Sequence, residues 1–267
     1  MIRNPVVAGQ FYAGSPTLLK KEVSSYLLPK AKKIDAKGCV SPHAGYACSG
    51  PVAGAVLSHM KERKTYVILG PNHTGSGSRF GLDMDSVWST PLGEVEIDNN
   101  LAQAILDNAH LIKKDSSCHM SEHSIEVQLP FLQVLNNSFK FVPIVVSQGS
   151  LDEYLEIGQG LAKAAQETKT DLSIIASSDM THYEPYKMAE EKDRIAIEKI
   201  LNLDIEGLLK EVEEHDISMC GSTPTAIMMA ASLKLGAKKA SLIKYLTSGD
   251  TCSDRTSVVG YAGIVIF

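Results

Sequence analysis

The sequence predicts an α/β fold in which one mixed β-sheet is covered by helices. Three observations lead there. Short apolar runs, often β-branched, alternate with stretches of helical period along the 267 residues. The apolar fraction of 44% and charged fraction of 21% are those of an ordinary soluble globular chain. No internal repeat, low-complexity tract or composition shift marks a linker, so residues 1–267 are read as a single domain.

The first strand is expected over 38–41 (GCVS), followed by a helix near 51–61. A second apolar run, 65–70 (TYVILG), stops at a glycine and proline and then presents a histidine. Helices are expected near 98–108 and 121–136, the latter opening at Ser121 as its cap, before a strand over 139–146 (FKFVPIVV). A helix near 151–168 leads to a strand over 171–177 (DLSIIAS). Helices near 187–201, 204–214 and 223–235 precede two final strands, 239–247 (KASLIKYLT) and 257–267 (SVVGYAGIVIF).

Composition excludes several functions. A net charge of -5 and a pI near 5.9, with lysines scattered along the chain, give no basic footprint for nucleic acid. The opening MIRNPVVAGQFYAG has no apolar leader core, and no segment approaches 18 uninterrupted apolar residues, so no membrane association and a cytoplasmic location are expected. The five cysteines are an odd set without a C-x-x-C spacing, which fits neither a disulfide framework nor a zinc knuckle. Most are expected to be reduced thiols.

The loops after the strands carry the chemistry. SPHAGYACSG follows the first, GPNHTGSGS the second and SSDMTHYEPY the fourth, delivering His43, His73 and His182, with Asp179 beside the last. Carboxyl ends of strands in open α/β sheets converge on one crevice, so three separate stretches point to one place. In SEHSIEVQLPFLQVL, Glu122, His123 and Glu126 fall in the first turns of an amphipathic helix, where acidic residues complement the helix dipole or orient metal-bound imidazoles. Cys220 precedes Gly221 and a helix start whose backbone donors would lower a thiol pKa; the other reading, beside Met219, is core filling. The loop HTGSGSR, residues 73–79, offers backbone amides and Arg79 to an anion.

SPHAGY, GPNH, EHSIEVQLPF, SSDMTHY and MCG, in this order over essentially the whole chain, resemble the Memo family, also known as protein B of the AmmeMemoRadiSam system. That family is similar in fold to the type III extradiol dioxygenases (LigB-like fold). The resemblance implies a metal held by His43, His73 and Cys220, with Asp179 and His182 as catalytic residues lining the same pocket, His182 as the acid/base and Asp179 orienting or pairing with it. Glu122 and His123 are then expected to support the ligands. It further implies a redox-active iron or copper site or an oxidoreductase, and as partners an AMMECR1-type protein and a radical SAM protein. Iron(II) leads, with copper and zinc as alternatives, because a thiolate with two imidazoles suits all three. One position departs from the family pattern: Cys48 stands where an aromatic residue is common, and is expected to be a small buried hydrophobe or an extra thiol in the pocket wall. Two other readings stay open, a peptide- or anion-binding module on a relic metal pocket and a zinc-dependent hydrolase.

Overall fold

Strand segments without a polar face need cover on both sides, and that requirement builds the molecule. The computed structural model describes residues 1–136, 138–252 and 254–267. In chain order the strands are β1 (Ile2–Arg3), β2 (Gly38–Ser41), β3 (Thr65–Pro71), β4 (Phe80–Leu82), β5 (Val87–Thr90), β6 (Gly93–Glu96), β7 (Lys113–Lys114), β8 (Lys140–Val146), β9 (Leu172–Ser177), β10 (His182–Glu184), β11 (Ala240–Thr247) and β12 (Val258–Ile266). The α-helices are α1 (Pro16–Tyr26), α2 (Tyr46–His59), α3 (Asn99–Asn108), α4 (Leu129–Leu135), α5 (Leu151–Glu167), α6 (Tyr186–Leu201), α7 (Ile205–Glu214), α8 (Ser222–Lys234) and α9 (Ser248–Thr251).

The expected mixed sheet forms. Its centre is four parallel strands in the order β2-β9-β3-β8, with β12 antiparallel to β2 and β4 antiparallel to β8. Every residue of β2, β3 and β9 is buried, as is all of β8 after Lys140. Such continuous apolar burial belongs to parallel strands covered on both faces. Gly38 of β2 lies against Met228 and Ser232 of α8, whereas Gly263 of β12 lies against Val52 and Val56 of α2. Gly38 pairs with Ile266, three residues from Gly263, so by strand alternation α8 and α2 cover opposite faces. Helix α5 packs on α8 and α3 on α5, while α1 and α4 pack on α2. A three-stranded sheet, β1-β5-β6, stands apart from the main one.

Two helix starts differ from expectation. The segment expected to begin at Pro51 begins at Tyr46, with Pro51 inside the helix. Glu122–Ser124 is not helical: a 3-10 turn at Glu126–Gln128 leads into α4 at Leu129, so the EHS stretch is an irregular turn. The cause is local, because the Glu122 carboxylate accepts from the backbone N–H groups of His123 and Ser124 and thereby offers the chain an alternative to a helical turn. Among the described residues no helix is long and apolar enough to cross a membrane.

Cys48 corrects a further expectation. It is half-buried in the first turn of α2 and forms a disulfide with Cys252, 204 positions away; Cys39, Cys118 and Cys220 are free. The bond ties the start of α2 to the segment that leads into β12. A bridge closing so long a loop restricts the unfolded chain strongly, and reduction, or Cys48→Ser, is expected to cost about 2–4 kcal/mol in urea unfolding. Coincident unfolding curves with and without reductant would show that the bridge contributes nothing.

Candidate metal centre

Parallel pairing brings the carboxyl ends of the central strands level. Ser41 pairs with Ser177, Leu69 with Ala176 and Pro71 with Val146. Two residues beyond β2, β3 and β9 stand His43, His73 and Asp179. The convergence expected from the three loops is therefore a consequence of register.

His43 is 2% exposed. Its backbone N–H and that of Ala44 donate to Asp179 Oδ1 at 2.8 and 3.3 Å. Its Nδ1 lies 3.0 Å from Ser177 Oγ, and Ser177 gives its single hydroxyl hydrogen to the Ser124 carbonyl at 2.6 Å. Ser177 can then only accept from the imidazole, so His43 carries its proton on Nδ1 and presents a lone pair at Nε2. Burial, followed by the neighbouring imidazoles His73 and His123, lowers the His43 pKa well below its ordinary value and keeps the ring neutral.

His73 is oriented by a carboxylate. Glu122 accepts from the His73 backbone N–H at 2.7 Å and from Nδ1 at 3.0 Å. Burial alone would raise the Glu122 pKa, but the hydrogen bond and charge of His73 and the backbone amides outweigh it and hold it at about 2. An ionised carboxylate only accepts, which places the His73 proton on Nδ1 and again frees Nε2. For His73 itself burial lowers the pKa, yet the Glu122 hydrogen bond and charge leave it raised. The turn that holds Glu122 needs Gly70, since a Cβ there would stand 2.4 Å from Ser124 Oγ.

His123 stands closer to this centre than its expected supporting position. Its ring is stacked on His73 at 5.0 Å between centroids and edge-on to His43 at 5.6 Å. One nitrogen from each of His43, His73 and His123 lies within 4.8 Å of the others. Donors sharing one ion at about 2.0–2.1 Å stand about 3.0–3.6 Å apart, so these three imidazoles could hold a metal ion once drawn together around it. Cys220 Sγ lies 3.3 Å from His43 Nε2 and 3.7 Å from the Asp179 carbonyl, outside the three-imidazole group. Its approach depends on Gly221, where a Cβ would stand 2.3 Å from the Ser178 side chain and 2.6 Å from the Ser177 carbonyl oxygen. Contrary to the expectation of an acidified thiol, burial and then the charge of Asp179 raise the Cys220 pKa.

His182 is held by one residue: its backbone N–H donates to Ser218 Oγ at 2.7 Å and its Nδ1 to the Ser218 carbonyl at 2.8 Å. Nε2 is left as a proton acceptor. Asp179 Oδ2 lies 3.9 Å from His43 Nε2, and burial raises the Asp179 pKa. A cavity of about 620 Å³ adjoins the centre, with His73 and Cys220 in its wall. The glycine-rich loop is arranged differently from an anion site. Arg79 pairs with Glu153 at 2.6 Å, and the Ser78 amide and hydroxyl bind Asp115 at 2.7 and 2.8 Å, so carboxylates of the chain already hold these donors.

Comparison with known proteins shows the family and the fold. A family model described as Memo-like protein matches residues 3–265. The chain is similar to a MEMO1 family protein of Methanopyrus kandleri, 44% identical over 279 residues that cover 99% of both chains. One from Methanococcus maripaludis strain C6 is 43% identical over the full length of both, and one from Sulfurisphaera tokodaii is 43% identical over 99% of each. Among solved structures, an uncharacterized protein of Escherichia coli K12 superposes with a TM-score of 0.57 at 13% identity, covering 85% of this chain and 98% of that one. That likeness concerns the fold.

Proposed function

The chain belongs to the Memo family, and from that premise we propose that His43, His73 and His123 hold one divalent metal ion, iron(II) before copper or zinc, in an oxidoreductase whose small-molecule substrate occupies the adjoining cavity. The observation that carries this reading is the pair of fixed tautomers: Ser177 and Glu122 take the Nδ1 protons of His43 and His73 and leave both Nε2 lone pairs free. Cys220, 3.3 Å from His43 Nε2, stands at about the spacing of two donors on one ion and adds a fourth. Imidazoles with a thiolate would suit iron, copper or zinc, and the adjoining cavity, with His73 and Cys220 in its wall, would give a substrate access to the ion. A bound ion supplies Lewis acidity and, as iron, one-electron chemistry. His182, anchored through Nδ1, accepts at Nε2 the proton of a substrate hydroxyl, and Asp179 balances the charge that this leaves on the ring.

The test is anaerobic loading with iron(II), copper(I) and zinc(II), followed by oxygen uptake with a panel of hydroxylated aromatic substrates. One ion per chain is expected, with turnover in the iron form. An iron-loaded protein that consumes no oxygen with any of them would retire the oxidoreductase reading and leave the zinc hydrolase.

The pH dependence of metal affinity separates the donors. A proton on any ligand nitrogen competes with the metal. His73 has the raised pKa, so as pH falls its protonation, beginning above the ordinary value of about 6.5, is the first to weaken binding, while His43 and His123, both lowered, stay neutral longer. The Cys220 thiol, raised, must lose its proton on binding at every pH in this range. Log affinity is therefore expected to keep rising by about one unit per pH unit above the His73 titration, and to flatten there in Cys220→Ser. The same rise in Cys220→Ser would remove the thiolate from the ligand set.

A further inference from the structure

The cavity beside the metal centre does not end there. A second cavity, of about 630 Å³, adjoins the first and shares Gln148, Val212, Ser222 and Thr223 with it. None of the candidate ligands reaches this outer space. Its wall is made by Leu151 and Tyr154 at the start of α5 and by one stripe of α7. That stripe is Glu206, Leu209, Lys210 and Glu213, the i, i+3, i+4, i+7 set of a helix face. The fully buried residue of α7 is Leu208; of the stripe only Leu209 packs on the core, half-buried. Each cavity exceeds the roughly 300 Å³ at the small end of ligand pockets.

The wall is also chemically quiet. Thr223 Oγ1 donates to the Tyr154 hydroxyl at 3.2 Å, and that hydroxyl donates to the Gly149 carbonyl and accepts its N–H at 2.8 and 2.6 Å. An apolar chain lying against Tyr154 and Thr223 strands neither hydroxyl, which is what such a chain requires. Along this wall neither Glu206 nor Glu213 forms a salt bridge among the described residues, and Lys210 is engaged with Glu214 at 3.8 Å. The outer cavity therefore opposes a negative charge.

We propose that the two cavities are one trough that binds an elongated ligand: a metal-chelating head at the histidines and an unbranched aliphatic tail that passes Val212 and lies between α5 and α7, ending in a neutral or cationic group. This rests on the metal-centre reading above. It narrows the substrate class to long-chain molecules.

The experiment uses the cobalt(II)-loaded protein, whose visible spectrum reports a chelating head, titrated with acetohydroxamate, butanohydroxamate, octanohydroxamate and an octanohydroxamate bearing a terminal carboxylate. Methylenes moved out of water each add affinity, so the octano probe is expected to bind about tenfold or more tighter than the aceto probe, and the terminal carboxylate to cancel that gain. Leu209→Trp, which fills only the outer cavity, is expected to spare the butano probe and weaken the octano probe. Val212→Trp, at the junction of the two spaces, is expected to remove the dependence on chain length from butano onward. Equal affinity across chain lengths overturns the proposal, and so does a length preference that survives both substitutions. Failure to bind cobalt(II) at all is a different result: it sinks the metal-centre reading and takes this inference with it.

Discussion

His43→Ala is expected to lower metal affinity by more than about a hundredfold, because loss of a mere orienting partner already costs about 10- to 100-fold and His43 is proposed as a ligand. The same scale gives an internal control. Ser177→Ala removes only the acceptor that fixes the His43 tautomer, and is expected to fall within that 10- to 100-fold range. His182→Ala and Asp179→Asn should retain metal more fully than His43→Ala, since His182 is anchored on Ser218 and Asp179 chiefly binds the backbone of the His43 loop. Circular dichroism of each variant separates loss of a ligand from loss of fold. A folded His43→Ala protein with undiminished affinity would mean that the imidazoles are not the ligands.

The readability of the fold from the sequence tracked the length and burial of each element. All six strands expected from apolar runs are present with bounds within one residue, because runs such as TYVILG and SIIAS are buried on both faces and carry an unbroken signal. Strands β1, β4, β5, β6, β7 and β10 were not legible. Each has two to four residues, too few to show a period, and they exist because a neighbour supplies hydrogen bonds. Helix α1 was missed for a related reason: only Leu19 and Val23 are buried, so its apolar stripe is thin.

At the site, the sequence placed His43 and His73 correctly at the ends of two buried strands, which flank β9, because strand ends are a property of local sequence. It could not rank His123 against Cys220. That ranking depends on the turn imposed locally by the Glu122 carboxylate and on the long-range contact of Gly221 with Ser178, neither of which has a periodic signature. The Cys48–Cys252 pair was equally hidden, since an odd cysteine count argues against a full framework and says nothing of one bridge. Glu126 was read as a helix-dipole residue or an orienting group; its actual partners lie more than 110 positions upstream.

Those partners lead to the second large effect, at a residue that nothing in the sequence singled out. Arg3 is fully buried. Its guanidinium pairs with Glu126, donates to the carbonyls of Glu122 and His119, and lies 4.3 Å from the centre of the Trp88 ring. Glu126 in turn accepts from the backbone of Val6 and Val7 at 2.9 and 3.1 Å and from the Tyr12 hydroxyl at 2.6 Å. Arg3→Met removes the cation and leaves a carboxylate buried without it, which is expected to cost about 3–5 kcal/mol in urea unfolding of the metal-free protein. Arg3→Lys should recover little, since one ammonium cannot span acceptors that a planar fork reaches together. Combining Arg3→Met with Glu126→Gln should recover part of the loss, because no lone charge is then buried. The effect should also extend to the metal centre. The Glu122 carbonyl that Arg3 grips belongs to the residue whose carboxylate orients His73 and whose next neighbour is His123. Metal affinity of folded Arg3→Met is therefore expected to drop by about tenfold or more, although Arg3 touches none of the three imidazoles. Unfolding at the wild-type urea concentration would show the buried pair to be neutral, and unchanged metal affinity in a destabilised protein would show that the turn holds its shape without the Arg3 guanidinium.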